Sequence, residues 1–161
     1  MKKTKIAAYT GSIVMASAFA VAGFASASVR AEDADTKTPQ DVVKIDEKNF
    51  PDPEFRKYVS DNYDGDMNGV LDETEISNVE SIYVEETFIE SFKGIEHFPN
   101  LLTFHYDANY GILVELDLSK NTKLQYFSCS GGKLSSLDLS HNRDLSFVYC
   151  PGNVLERLIL G

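Results

Sequence analysis

The sequence has few basic residues: 15 Lys and Arg stand against 25 Asp and Glu, which gives a formal net charge of −10 at pH 7. All 25 acidic residues follow position 31, whereas four of the basic residues precede it. From residue 32 onward, 11 basic side chains therefore stand against 25 acidic ones, a net charge of −14. Nucleic acids and anionic lipid surfaces bind clustered Lys and Arg. The charge balance therefore excludes both as partners.

Cysteine and histidine are also scarce. Two cysteines, Cys129 and Cys150, are too few for a disulfide-dense scaffold. The three histidines, at positions 97, 105 and 141, neither cluster nor stand at metal-binding spacing from a cysteine. No Ser-His-Asp or Cys-His set is apparent, and a cysteine nucleophile would need a partly exposed thiol. We therefore predict that the protein is not an enzyme.

The N-terminal segment 1–31 predicts a secretory signal peptide. A basic start with Lys2, Lys3 and Lys5 precedes an apolar run over residues 6–24, and small-residue cleavage sites follow. The alternative is a membrane anchor, but the run is short and ends at cleavage-type residues. We expect a secreted, extracellular or cell-surface protein that is not inserted in a membrane after cleavage. Residues 32–44 are polar and predict a flexible leader.

The C-terminal half of the sequence repeats. Segments 124–134 and 145–155 both fit the pattern L-x-x-L-x-L-x-x-N-x-L, with Phe127 or Val148 at its second Leu position. Two more divergent copies place the four starting positions at 79, 101, 124 and 145. A second phrase recurs at a constant interval, at Leu116, Leu137 and Leu158. This periodicity is the signature of leucine-rich repeats, and residues 79–161 therefore predict about four of them.

The physics of the pattern predicts a solenoid. One repeat cannot bury its own apolar face, so neighbouring repeats stack. The central L-x-L of each repeat predicts a short parallel strand with apolar side chains inside and the intervening ones on a concave sheet. Asn at the ninth position predicts hydrogen bonds to neighbouring backbone, and Gly132 at that place predicts a softer turn. The predicted fold class is an α/β solenoid, a short leucine-rich-repeat stack with an N-terminal helical cap.

Cys129 and Cys150 occupy equivalent interior positions of adjacent repeats. The strand spacing of about 4.8 Å does not exclude a disulfide. Parallel side chains give poor disulfide geometry, however, and we predict buried free thiols.

An acidic loop precedes the repeats. Residues 64–75 match the EF-hand calcium loop D-x-[DN]-x-[DN]-G-x5-E at every specified position, with Gly69 at the sharp turn. The predicted Ca²⁺ ligands are the side chains of Asp64, Asp66 and Asn68, the carbonyl of Val70, Asp72 through a water, and both oxygens of Glu75. The other interpretation is a solvated turn that binds nothing. Because only one loop is present, we expect a dissociation constant on the order of 10⁻⁴–10⁻³ M.

Helix signals flank this loop. Asp52 as N-cap with Pro at the first helical position predicts a helix from about residue 53 to about residue 62. Asp72 with Glu75 three residues later forms a capping box and predicts a second helix over about 73–78. Residues 45–78 therefore predict a helical, EF-hand-like cap.

The order of these elements resembles the N-terminal part of secreted bacterial leucine-rich-repeat surface proteins, including internalin-like ones. The phrases FPDPEFRKYV, SFKGIEHFPNL, ELDLSKNTKLQY and SSLDLSHN carry the resemblance, which covers roughly residues 45–161. The resemblance implies a helical cap over the first repeat, extracellular or cell-surface display, and protein recognition without catalysis. Caps of that family need not bind calcium, but the ligand set here is complete.

The outward positions of the concave sheet are the candidate partner-binding surface, for a protein or glycan ligand. They are Tyr83 and Glu85, then Thr103, His105 and Asp107, then Tyr126, Ser128 and Ser130, and finally Phe147, Tyr149 and Pro151. Exposed aromatic side chains there suit partner contact. We predict a calcium-binding, adhesin-like interaction module. The alternative is a dockerin-like assembly or cell-wall scaffold piece, but dockerins carry duplicated calcium loops.

The sequence ends part-way through a repeat. Members of the family that it resembles usually carry more repeats and a wall anchor or further domains. An uncapped last repeat exposes an apolar edge. We therefore expect either a truncated product or an edge that further repeats or a partner chain cover.

Overall fold

The computed structural model describes residues 42–85, 87–108 and 112–161. The predicted signal peptide and residues 32–41 of the predicted leader lie outside the described residues. Among the residues described, no helix is both long and apolar enough to span a bilayer. The elements in chain order are β1 (Val43–Lys44), α1 (Pro53–Tyr63), β2 (Val70–Leu71), α2 (Glu73–Ser77), β3 (Ser81–Glu85), a 3-10 turn (Ile95–His97), β4 (Thr103–Asp107), β5 (Tyr126–Ser130), β6 (Ser136–Leu139), β7 (Phe147–Tyr149) and β8 (Arg157–Leu160).

Four parallel strands form the main sheet, in the order β3-β4-β5-β7. Their register places Ile82, Phe104, Phe127 and Val148 on one line across the sheet. These are the four positions that the repeat pattern aligns. The predicted stack of parallel strands is therefore confirmed.

Burial alternates along these strands as the pattern predicts. The inward side chains of β3 and β4 are buried, and Phe104 and Phe127 stack with ring centroids 5.7 Å apart. Phe92, from the segment after β3, packs edge-on against Phe104 at 4.9 Å and Tyr106 at 5.0 Å. Each repeat therefore buries its apolar side chains against its neighbours, which is the main source of stability in a solenoid.

A second sheet replaces the helices that an α/β solenoid would carry. The L-D-L phrase at 137–139 lies in β6 and the corresponding L-I-L at 158–160 lies in β8; the two strands pair in parallel with Leu137 opposite Leu158. After α2, the only helical element in the described residues is the 3-10 turn. The molecule is therefore a β-solenoid with few helices, and the predicted α/β class is wrong in this respect. In β6 the apolar residues have a period of two and are buried alternately, which favours a strand over a helix.

The last repeat is less well covered than the one before it. Leu158 is 44% exposed, whereas Leu137, its partner in register, is 1% exposed. Cys129 is buried and Cys150 is partly exposed, so the prediction of two buried thiols is half wrong. Both are free thiols, and burial raises the pKa of Cys129 to about 12. That further repeats or a partner cover the edge stays a prediction.

Helix α1 packs against the first repeat. Asp52 caps the helix by accepting hydrogen bonds from the backbone N–H groups of Glu54 and Phe55, both at 2.9 Å. The buried Phe55 ring packs edge-on against Phe92 at 4.9 Å. The predicted helix 53–62 is thus confirmed to within one residue. The predicted leader extends two residues too far, because Val43–Lys44 form β1 and pair with β2.

Asparagine side chains satisfy backbone groups between repeats. Asn153, at the ninth position, donates to the carbonyls of Cys129 at 2.8 Å and Cys150 at 3.3 Å, as predicted. Its Oδ1 lies 2.5 Å from where a Cβ of Gly132 would stand. Any larger residue at 132 would therefore collide with Asn153, which explains the glycine. The softer turn predicted there stays a prediction.

A second asparagine ladder was missed by sequence reasoning. Asn121 and Asn142, both buried, follow the L-D-L-S phrase at the same place in successive repeats. Asn121 Nδ2 donates to the carbonyls of Ile95 and Phe98, both at 2.9 Å. Asn142 Nδ2 donates to the carbonyl of Asn121 at 2.8 Å and to that of Leu118. Each amide therefore ties one repeat to the turn of the preceding one.

Candidate functional site

The acidic loop runs from the end of α1 through β2 to α2. Asp64 is the C-cap residue of α1, and Asp72 is the N-cap residue of α2. The predicted capping box is confirmed: Asp72 Oδ1 accepts from the N–H of Glu75 at 2.9 Å, and Glu75 Oε2 accepts from the N–H of Asp72 at 3.0 Å. The second helix ends at Ser77, one residue before the predicted end. Two helices therefore fix the ends of the loop.

Three predicted ligands come together at the centre of the loop. One carboxylate oxygen each from Asp64, Asp66 and Glu75 lies within 4.8 Å of the other two. Two oxygens bound to one Ca²⁺ at about 2.4 Å can be at most about 4.8 Å apart. All three donors are hard oxygens, the type that Ca²⁺ prefers. The spacing and the donor chemistry therefore fit one calcium ion.

The backbone of the loop points N–H groups at these carboxylates. Asp64 accepts from the N–H of Asn68 at 3.0 Å and that of Gly69 at 2.9 Å, and Glu75 Oε1 accepts from the N–H of Gly65 at 2.7 Å. Gly69 has φ +80°, as the sharp turn requires, and exposed Met67 also has a positive φ, of 57°. These bonds hold the acidic side chains on one side of the loop.

Other predicted ligands point elsewhere in this conformation. Asn68 Oδ1 accepts from the N–H of Val70 at 2.8 Å, while its Nδ2 donates to Asp66 at 2.7 Å. Asp72 Oδ1 is engaged in the capping box. The structure therefore brings together three of the six predicted ligand residues as a carboxylate cluster and places the other three around it.

Strand β1 braces the loop from outside. Lys44 pairs with Val70 and Val43 with Leu71 in an antiparallel bridge, and the N–H of Ile45 donates to the carbonyl of Gly69 at 3.0 Å. Leu71 is fully buried and anchors the loop in the core. Sequence reasoning placed no partner strand here because two residues give no periodic signal.

The outer face of the four-stranded sheet, meaning its outward strand positions, is the second candidate site. In register these positions form three lines across the sheet, which are Ser81-Thr103-Tyr126-Phe147, Tyr83-His105-Ser128-Tyr149 and Glu85-Asp107-Ser130. All the predicted partner-binding residues within the strands lie on these lines. Pro151 follows β7 and is exposed.

Aromatic rings dominate the outer face. Tyr126 and Phe147 stack flat, with centroids 4.4 Å apart and an interplanar angle of 3°, and Tyr149 lies 6.3 Å from Phe147. Tyr83 stacks on His105 at 4.2 Å and 13°. The four Tyr and Phe rings are 37–57% exposed. The face therefore presents two aromatic groups to solvent.

Ser128 does not belong to the accessible part of this face. It stands between His105 and Tyr149 in register but is only 3% exposed. The pattern predicted its direction correctly, but burial depends on the larger side chains around it. Thr103, His105 and Asp107 are half-buried, so β4 contributes less surface than expected.

Glu85 and Asp107 lie beside each other at the end of the outer face. The Tyr83 hydroxyl donates to Glu85 Oε1 at 2.7 Å, and this hydrogen bond raises the pKa of Tyr83. His105 Nε2 lies 3.6 Å from Glu85 Oε1 and has no hydrogen-bond partner among the described residues. The hydroxyl of Ser130 donates to Asp107 Oδ1 at 2.6 Å. This end of the face is anionic.

A groove that the sequence did not predict borders the second sheet. Its volume is about 820 Å³, and its charged lining includes Lys93, Glu115, Asp117, Lys120, Asp138 and His141. Hydrogen bonds from Ser119 and Ser140 lower the pKa of Asp117 and Asp138, respectively. Both signs of charge are mixed here, so the groove favours no particular ligand.

Two solved structures with a similar fold come from Listeria monocytogenes. The functional domain of InlJ, which includes a cysteine ladder, matches with a TM-score of 0.62 and 23% identity over 72% of this chain and 28% of that chain. The internalin InlF of strain 4b F2365 matches with a TM-score of 0.57 and 18% identity over 71% and 38% of the two chains. No protein-family model and no curated protein matches the chain.

These likenesses establish the fold, which is the leucine-rich-repeat solenoid of internalins. The chain spans less than two fifths of the length of either internalin structure. At these identities, the role of the outer face and of the acidic loop must be argued from the residues of this chain.

Proposed function

We propose that this chain is a secreted or surface-displayed leucine-rich-repeat module that binds a partner protein through its outer face. The observation that carries the proposal is the exposed aromatic surface of β5 and β7, where Tyr126, Phe147 and Tyr149 lie together. Rigid, exposed aromatic side chains are the usual anchors of protein interfaces. The internalin-like fold supports a role in protein interaction. The proposal includes no catalytic role.

The proposal further assigns Ca²⁺ to the acidic loop, as a structural ion that stabilises the cap. Three carboxylates that lie close together repel one another, and a bound cation removes this repulsion. Helix α1 ends in the loop and packs on Phe92 of the first repeat. Calcium binding would therefore stabilise the end of the solenoid on which α1 packs. The chain's own residues would supply the oxygen ligands, the brace of β1 and the capping box.

Replacing Tyr126, Phe147 and Tyr149 together with Ala is expected to weaken partner binding strongly while the fold is retained. The three rings are partly exposed, so the loss of stability should be small, whereas loss of an interface anchor costs about 2 kcal/mol or more, a weakening of about 30-fold. Binding to a panel of immobilised extracellular proteins and glycans measures the effect.

The control variant truncates Phe88, Val114 and Val154, which are more exposed than the three tested residues but lie outside the outer face. It should bind like the parent protein. Equal losses in both variants would contradict the assignment of the outer face. If only the glycans of the panel bind, the proposed ligand of the outer face changes from a protein to a carbohydrate.

Calcium is expected to raise the melting midpoint. At 10 mM Ca²⁺, a dissociation constant of about 10⁻⁴–10⁻³ M stabilises the folded state by about 1.4–2.7 kcal/mol. For a domain of this size the midpoint should rise by about 5–10 °C relative to chelator, as measured by circular dichroism.

Glu75→Gln is the matched control for this measurement. Gln keeps an oxygen and the shape of the capping box but loses the charge and the bidentate carboxylate. Gln can accept only one of the two backbone N–H bonds that the Glu75 carboxylate accepts, so the variant is compared with itself in chelator and should show little response to calcium. An unchanged midpoint of the parent protein at 10 mM Ca²⁺ would refute the calcium assignment.

A further inference from the structure

The outer face has no Lys or Arg side chain. Its eleven strand positions include two carboxylates, one histidine and four Tyr or Phe residues, but no Lys or Arg. The 11 basic residues that follow position 31 all lie elsewhere in the sequence. The surface that carries the exposed aromatic side chains is therefore also one that repels anions and attracts cations.

The two carboxylates of this face are not neutralised by the chain itself. Among the described residues, no Lys or Arg nitrogen lies within 4.0 Å of Glu85 or Asp107. Their neighbours are hydroxyl groups, with Tyr83 donating to Glu85 and Ser130 to Asp107. The nearest titratable base is His105, whose Nε2 is 3.6 Å from Glu85 Oε1. Both charges are therefore available to a partner.

The geometry combines anionic and aromatic groups in a way that suits a guanidinium or ammonium group. Tyr83 is 57% exposed and shares a hydrogen bond with Glu85, so its ring stands beside the carboxylate. A cation held by carboxylates and in contact with an aromatic ring gains both ion-pair and cation–π energy. Arginine suits such a site best, because its planar group binds carboxylates with two hydrogen bonds and stacks on rings.

We propose that the outer face recognises an arginine- or lysine-bearing segment of its partner protein. Glu85 and Asp107 bind the cationic side chain beside Tyr83, and the Tyr126–Phe147 stack with Tyr149 contacts the apolar part of the same segment. This inference rests on the proposed role of the outer face in protein binding and specifies the chemistry of the partner.

The test uses fluorescein-labelled peptides of twelve residues, built as repeats of Arg-Gly-Ser, Gln-Gly-Ser or Glu-Gly-Ser, with fluorescence anisotropy as the readout. The buffer contains 5 mM CaCl₂ so that the acidic loop does not compete for the basic peptide. The arginine peptide should bind, the glutamine peptide should bind at least tenfold more weakly, and the glutamate peptide should not bind. Raising NaCl from 20 to 150 mM should weaken arginine-peptide binding.

Matched variants locate the site. Glu85→Gln with Asp107→Asn should weaken binding of the arginine peptide at least tenfold, and both substitutions keep the oxygens that accept from Tyr83 and Ser130. Glu115→Gln with Glu156→Gln removes the same charge from exposed positions outside the outer face and should change binding less than twofold. Amide chemical-shift changes should map to β3 and β4 rather than to residues 64–75.

Equal weakening in the two double variants would overturn the inference, because net charge alone would then explain binding. Tight binding of the glutamine peptide, or no binding of the arginine peptide at 1 mM, would overturn it as well. If the peptide results exclude the arginine site but the Tyr126, Phe147 and Tyr149 triple variant still loses binding in the panel experiment, only the proposed cationic chemistry of the partner is refuted. If neither experiment depends on the outer face, the proposed function fails too.

Discussion

Asn121→Ala is expected to lower the free energy of unfolding by about 3 kcal/mol. The Asn121 amide is fully buried and donates to two carbonyl groups of the preceding repeat, at 2.9 Å each. Each hydrogen bond contributes about 1 kcal/mol net, and the removed side chain leaves a small cavity that costs more. The carbonyls keep the backbone N–H groups of Phe98 and Leu101, which limits the loss. Urea denaturation followed by circular dichroism measures it.

Two further variants separate hydrogen bonding from volume. Asn121→Asp keeps the shape but removes the donor and places an acidic group against two carbonyl oxygens, so it should cost at least as much as alanine. Asn62→Ala removes a single amide that donates to the carbonyl of Tyr58 on an exposed helix surface, and it should cost less than about 1 kcal/mol. A loss at Asn121 no larger than that at Asn62 would contradict the role assigned to the buried ladder.

This ladder left a signal in the sequence. Asn121 and Asn142 are separated by the same interval as Leu116 and Leu137, and they follow the same apolar phrase. A polar residue that recurs at the repeat interval beside apolar positions indicates a side chain that bonds to the backbone of a neighbouring repeat. The L-x-x-L-x-L-x-x-N-x-L pattern includes Asn153 and its equivalents but not Asn121 or Asn142, so it predicted no role for the second asparagine series.

The strands of the main sheet could be predicted because their apolar residues alternate within each repeat and align between repeats. The same argument gave the outward direction of Tyr83, Tyr126 and Tyr149, which the structure bears out. It could not give accessibility: Ser128 points outward yet is buried. Direction follows from backbone geometry, whereas exposure depends on the size of side chains that come from other repeats.

The acidic loop shows what a fixed motif can and cannot supply. Spacing alone predicted the cluster of Asp64, Asp66 and Glu75 and the capping box at α2, because these depend on local backbone geometry. The brace by Val43–Lys44 could not be predicted, since it joins two short segments that lie on opposite sides of α1 in the sequence.

The carboxylate of Asp52 joins the cap to the solenoid by hydrogen bonds on both sides. Asp52 Oδ1 accepts from two N–H groups at the start of α1, and Oδ2 accepts from the N–H groups of Glu90 at 2.8 Å and Ser91 at 3.2 Å. The residue is only 7% exposed. The helix signal predicted the N-cap, but the second pair of bonds joins residues 38 and 39 positions apart, beyond the reach of local sequence reasoning.

Asp52→Ala is therefore expected to cost about 3–4 kcal/mol, well above the cost of about 1 kcal/mol for an ordinary N-cap. Four N–H groups lose a charged acceptor, and two of them belong to the first repeat. Asp72→Ala removes the exposed N-cap of α2 and gives the cost of losing an ordinary N-cap for comparison. Both variants are unfolded in the presence of chelator. Amide exchange in α1 should accelerate more than exchange in β5 for Asp52→Ala, because the cap loses two of its hydrogen bonds to the first repeat while the sheet keeps its core. Equal costs for the two variants, or uniform acceleration across the chain, would show that Asp52 caps a helix without joining it to the repeats.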